Sequence, residues 1–302
     1  MILKKKKLLA ILLALVMVMS MFAACSPRED VPDDTDPDAP DLPPREEYDP
    51  DYEGIRIGDI TPDWLYDIAD HFDRNDHTVG WLEVPGTNIS DVVLRNPECY
   101  NNQYYLRRDF YGNRYFYGVY YVDVRNELGP NRDYLGAVTT IYGHAITDDP
   151  ESERFNIKFG NLHRFRDPDF MREHPYIFFS LPEDNLAFEI MAVFYGNVDN
   201  PEFSYNFDRE GVRFIDVIEN TVLPRSLFHF DVEFDARDKF LVLSTCIYNP
   251  TGGVTLLHHE DTFYRFAVMG RLVHPNSARR EYAAFTINED RIVDPDGAWP
   301  AA

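Results

Sequence analysis

A mainly β fold, a closed β-barrel with a few appended helices, is what this 302-residue sequence predicts. Three observations lead there. At least seven apolar or aromatic runs recur at short intervals, with Gly, Asn, Asp and Pro between them, which is the pattern of strands and turns. Only two stretches of the region carry a sustained 3.6-residue period. The chain is 44% hydrophobic and 15% aromatic, ample for one large core, and closing a sheet on itself removes the exposed edges that many short strands would otherwise leave.

The elements follow in order. Residues 1–25 read as a targeting segment. Lys4–Lys7 form a basic head, Leu8 to Met21 an apolar run, and Ala23-Ala24 supply small residues before Cys25. Ala-Ala-Cys resembles a bacterial lipobox, which makes Cys25 the candidate lipidation site, although Phe22 stands where Leu is usual. An uncleaved signal anchor and ordinary cleavage are the alternatives, and lipidation or an anchor would tether the protein to the membrane's outer face. Residues 26–55 read as a disordered stalk, because seven Pro and twelve acidic residues crowd positions 26–53 with almost no large aliphatics. Such a segment cannot bury enough surface to offset its ordering entropy.

Residues 56–275 are expected to form the folded domain. Thr61-Pro62-Asp63 looks like a helix start, with Trp64, Leu65, Ile68, Ala69 and Phe72 on one face. Strands are expected at 80–84, 89–94, 104–106, 115–124 and 137–142. The turn Pro85-Gly86 closes the first of these. Further strands are expected at 176–180, 187–195, 240–245 and 263–273. A helix over 207–223, with Phe214, Ile215, Ile218 and Val222 at helical spacing, precedes the strand that ends in Cys246. Residues 276–302 are a polar tail.

Composition also excludes. A formal charge of −23 argues against nucleic acid as a partner, since phosphate binding needs a basic face. Three cysteines (Cys25, Cys99, Cys246) make no disulfide framework. No cofactor or metal is called for: the adjacent His258 and His259 lie in a polar stretch and read as solvated.

The chemistry-bearing residues sit at strand ends. Cys246 closes the apolar run Phe240–Thr245, so a rigid element would deliver its thiol. His144 follows Ile141-Tyr142-Gly143, and the glycine lets the main chain pass close to a neighbour. Arg265 opens the strand Arg265-Phe266-Ala267-Val268-Met269. A thiol nucleophile needs a proton partner, and acyl transfer needs a donor for its oxyanion; His and Arg supply these.

Tyr142-Gly143-His144, Phe159-Gly160-Asn161-Leu162, Leu243-Ser244-Thr245-Cys246 and Arg265 resemble the motifs of a class B sortase. The likeness extends to Gly80-Trp81-Leu82 and to Tyr104–Phe110, so it covers about residues 61–273. The resemblance implies a sortase-type barrel with an N-terminal helix and a helix inserted before the Cys-bearing strand. It implies a cysteine transpeptidase with Cys246, His144 and Arg265 as catalytic residues and Ser244 and Thr245 as substrate contacts. The implied partners are exported proteins with a C-terminal sorting motif and an amine acceptor such as peptidoglycan. One departure is the 19-residue interval from Cys246 to Arg265, long for this class, which holds Asn249–Gly253. Two alternatives stand beside this reading. An L,D-transpeptidase-like wall enzyme usually has Gly immediately before the Cys and Arg two positions after it, where this chain has Thr245 and Tyr248. A non-catalytic surface-binding lipoprotein would use the barrel only as a platform.

Overall fold

The computed structural model describes residues 48–98, 103–147, 149–197, 214–246 and 264–292. Its frame is a closed eight-stranded barrel built from β1 (Thr78–Val84), β2 (Ile89–Leu94), β3 (Tyr120–Val122), β4 (Val138–Tyr142), β5 (Tyr176–Leu181), β6 (Asp184–Asn197), β8 (Phe240–Cys246) and β9 (Tyr264–Val273). The order around the barrel is β1-β2-β3-β4-β8-β9-β6-β5. β7 (Phe228–Phe230) and β10 (Phe285–Ile287) pair separately. The mainly β, closed-barrel expectation holds. The turn at Pro85-Gly86 also holds, with Gly86 at a φ of 76° that favours glycine.

The barrel is filled from alternate strand positions. Leu82 and Val84 of β1, Ile141 of β4, Leu241 and Leu243 of β8, and Phe266 and Val268 of β9 all belong to one buried cluster. The opposite positions face outward and are covered locally. Helix α1 (Leu65–Arg74) lies on β1, where Trp64 stacks on Trp81 at 4.8 Å and donates from Nε1 to Glu83 at 2.9 Å. A short α2 (Pro168–Glu173) follows a 3-10 helix at Lys158–Arg166. Helix α3 (Phe214–Val217) continues as a π-turn through Ile218–Val222. It packs Phe214, Ile218 and Val222 onto Val242, Ala267 and Met269, on the outer face of β8 and β9.

Several local expectations are corrected. Residues 104–106 are not a strand: Tyr104–Arg107 form a 3-10 turn with Tyr105 buried. The run 115–124 supplies only the short β3, because Gly118 has a φ of 59° and breaks extension just before it. Thr61 does not cap α1. Its hydroxyl donates to the Ile57 carbonyl, and Asp63 instead accepts the Leu65 amide at 3.1 Å. Of the expected α1 face only Ile68 is buried, while Ala69 and Phe72 are exposed. The first half of the helix expected at 207–223 lies outside the described residues. Past Val273, the polar segment contributes β10, a strand that hydrophobic periodicity does not reveal.

Candidate active site

β4 and β8 run parallel, in register from Val138 opposite Phe240 to Tyr142 opposite Ser244. Strands running the same way end on the same rim. His144, two residues past Tyr142, is therefore brought beside Cys246, two residues past Ser244. β9 runs antiparallel to β8, and its Arg265 is the direct Cα partner of Cys246. Cys246 thus sits between Arg265 on one neighbouring strand and His144 on the other. Tyr121 pairs with Tyr142 one strand further along. Two-residue alternation puts Tyr121, Tyr142, Ser244, Cys246 and Arg265 on the outer face.

The Cys246 thiol is free and half-buried, Arg265 is half-buried, and His144 is buried at 2% exposure. The main chain around them is held closely. The Gly143 amide donates to the Ser244 carbonyl at 3.3 Å, the Thr245 hydroxyl to the Gly143 carbonyl at 2.8 Å, and the Phe159 amide to the His144 carbonyl at 2.7 Å. A Cβ on Gly143 would lie 2.7 Å from the Phe159 ring and 2.8 Å from the Tyr120 ring. Only glycine fits there. Thr245 therefore turns inward and ties β8 to β4, whereas Ser244 is buried on the outer face.

Three further features lie on or behind these strands. Tyr142 donates from its hydroxyl to the buried Asp123 carboxylate at 2.8 Å, and Arg125 closes on the same carboxylate at 2.6 Å. An acid in the apolar run Tyr120–Val124 was the available signal, since a buried carboxylate needs partners. Tyr121 is buried, and burial holds its phenol well above the usual range; its electrostatic interaction with Cys246 adds to this, and Arg265 opposes it. Tyr121 therefore lies within the electrostatic reach of both. On the inner face, His163 is buried and stacks on Phe266 at 4.7 Å. Burial holds its imidazole well below the ordinary range, Arg166 adds to that, and the Cys246 main-chain carbonyl works against it.

No group of three or more His, Cys, Asp or Glu among the described residues could hold a metal ion. Cys25, Cys99, Asn249–Gly253, His258 and His259 lie outside the described residues.

The barrel is mixed and closed, and it brings a Cys, a His and an Arg to the ends of three adjacent strands. No family model matches the chain. Over 172 residues it is 28% identical to sortase B of Listeria monocytogenes, a match covering 57% of this chain and 63% of that protein. The chain therefore spans less than two thirds of that relative's length. Its structure is similar to a sortase B–substrate complex from Staphylococcus aureus, with a TM-score of 0.55 and 22% identity over 69% of this chain and 85% of that one. It is also similar to sortase B of Clostridium perfringens, with a TM-score of 0.54 and 21% identity over 68% of this chain and 99% of that one. The resemblance to class B sortases drawn from the motifs is borne out in sequence and in fold.

Proposed function

We propose that this protein is a cell-surface cysteine transpeptidase that cleaves a C-terminal sorting motif on exported proteins and transfers the acyl group to an amine. The observation that carries the reading is the rim order Arg265–Cys246–His144, set by one antiparallel and one parallel strand pairing.

In this reading the Cys246 thiol passes its proton to His144 as its sulfur attacks the carbonyl of the motif's Thr. Arg265, on the adjacent strand, donates to the developing oxyanion or to the motif backbone. His144 protonates the leaving amine as the C–N bond breaks, leaving a thioester on Cys246. An incoming amine, such as one on peptidoglycan, then attacks that carbonyl. His144 takes its proton, the C–S bond breaks, and the proton returns to the sulfur. A sortase B has been solved as a substrate complex and another with a triglycine peptide, in line with a peptide donor and an amine acceptor. The lipobox-like Cys25 supports a tether on the outer face of the cytoplasmic membrane, by lipid or by an uncleaved signal anchor.

Replacing Cys246 by Ala removes little volume, so the fold should persist while transfer is abolished. A methanethiosulfonate reagent should modify Cys246 in the native protein. Full activity in the Ala variant, or an inert thiol in a folded sample, would end this reading.

A further inference from the structure

An exposed aromatic ledge flanks the catalytic histidine. The Phe116 ring lies parallel to the His144 imidazole, with an interplanar angle of 6° and centroids 6.4 Å apart. Phe116 is 53% exposed and Tyr115 43%. Tyr117 sets its ring edge-on to both, at 5.3 and 5.5 Å. The Arg107 guanidinium lies 4.8 Å from the Phe116 ring centre.

The ledge is a built feature rather than a loose loop. The Tyr115 amide donates to the Arg107 carbonyl at 2.9 Å, and the Gly118 amide to the Tyr115 carbonyl at 3.2 Å. Gly118 is in the left-handed region, and a Cβ there would come 2.5 Å from the Leu106 carbonyl oxygen. Any other residue would push the ledge off the 3-10 turn that carries Arg107.

Its position follows from the strand order. The ledge leads into β3, which lies on the far side of β4 from β8. Arg265 stands on one side of Cys246, and His144 with the ledge beyond it stands on the other. In acyl transfer the oxyanion faces the donor group and the amine faces the proton-transfer group. The Phe116 side is therefore where an amine nucleophile must wait before it attacks the thioester.

The charge there is distinctive. The chain carries −23 overall, yet residues 104–118 hold three Arg (Arg107, Arg108, Arg114) against one acid (Asp109). Arg107 donates from Nη1 to the Phe116 carbonyl at 3.5 Å, and a guanidinium resting on an aromatic face has further N–H groups to offer a carboxylate.

We propose that Phe116 and Arg107 form the acceptor subsite, and that it selects a peptidyl amine bearing a free carboxylate within the length of a tripeptide from the attacking nitrogen. This rests on the transpeptidase reading above and names its second substrate. In the step concerned the acceptor C–N bond forms and the Cys246 C–S bond breaks. The amine proton passes to His144 and then to the departing sulfur.

The test is the partition of the acyl-enzyme between aminolysis and hydrolysis, because that ratio is independent of how fast the acyl-enzyme forms. The mature protein would be given a peptide pool randomised around a central Thr, with triglycine or triglycinamide as acceptor. Transfer and hydrolysis products would be counted by mass spectrometry. The native chain should favour triglycine over its amide by up to about 5-fold, the scale of one solvent-accessible ion pair. Arg107→Ala should erase that preference and Arg107→Glu reverse it. Phe116→Ala should lower the transfer-to-hydrolysis ratio for both acceptors by about 5- to 10-fold, on the scale of one aromatic contact, with Phe116→Leu intermediate.

A ratio unchanged in every variant, with both product branches falling together, would show that the ledge merely supports His144 and would overturn the inference. Equal use of the two acceptors by the native chain would overturn the carboxylate claim. No cleavage of any peptide by the native chain, with Cys246 still reactive, would overturn the transpeptidase reading itself.

Discussion

At the scale of single residues, the two arginines of β9 separate by position. Arg265 pairs with Cys246 at one end of the strand, while Arg271 pairs with Phe240 at the other. Six residues at about 3.3 Å each put roughly 20 Å between them. Arg271 is also engaged elsewhere, 3.4 Å from Asp238 and 3.8 Å from Glu189. A planar guanidinium fork cannot be copied by an ammonium. Arg265→Lys should therefore lower transpeptidation by about 10²–10³-fold, the scale of a lost oxyanion donor. Arg271→Lys should leave turnover within a few-fold and show its effect as lower thermal stability. Steady-state rates of the two variants decide this, and a larger loss at Arg271 would refute the assignment.

At the scale of elements, the 3-10 helix Lys158–Arg166 supports the rim from inside. Its Phe159 amide holds the His144 carbonyl, and its His163 ring packs on Phe266, the residue after Arg265. His163 is kept neutral by burial and by Arg166. Because its folded pKa lies below the unfolded value, the unfolded chain binds the extra proton, and stability falls as pH drops below about 6.5. Each pH unit below that costs up to about 1.4 kcal/mol until the folded-state value is reached. Above pH 7 this group should add no pH dependence. Urea denaturation at pH 5 and pH 8 should show the loss in the native chain and a smaller one in His163→Phe, whose ring can keep the stack on Phe266. An equal loss in both proteins would place the acid sensitivity elsewhere. His174, also lowered by partial burial, is the next candidate.

At the scale of the whole molecule, a domain tethered through an acidic, Pro-rich stalk is what the first 55 residues suggest, and Cys25 is where the tether is expected to attach. Metabolic labelling with a palmitate analogue should mark the native protein and not Cys25→Ser. A mature chain that still begins at Met1 would instead favour a signal anchor, with Phe22 having spoiled the lipobox. Among the described residues, no helix is long and apolar enough to cross a membrane.

How much of this is legible in the sequence varies with the range of the interaction involved. The strands around β1, β2, β4, β5, β6, β8 and β9 are readable, because each buries an apolar face whose spacing is written in neighbouring residues. Cys246, His144 and Arg265 stand out because each ends or opens such a run. The 3-10 turn at Tyr104–Arg107 reads as a strand, since aromatic content favours both states and only tertiary contacts separate them. β10 is not visible, because its pairing with β7 spans about 55 positions and leaves no local periodicity. Sequence alone therefore determined the closed β architecture and the identities of the three residues that meet at the rim. Only the tertiary structure decided that β4 and β8 run parallel while β9 returns. That pairing places Cys246 between Arg265 and His144, and it brings Phe116 and Tyr121 to the same rim. Strand direction and neighbour order are set by long-range burial and chain connectivity, which no local pattern encodes.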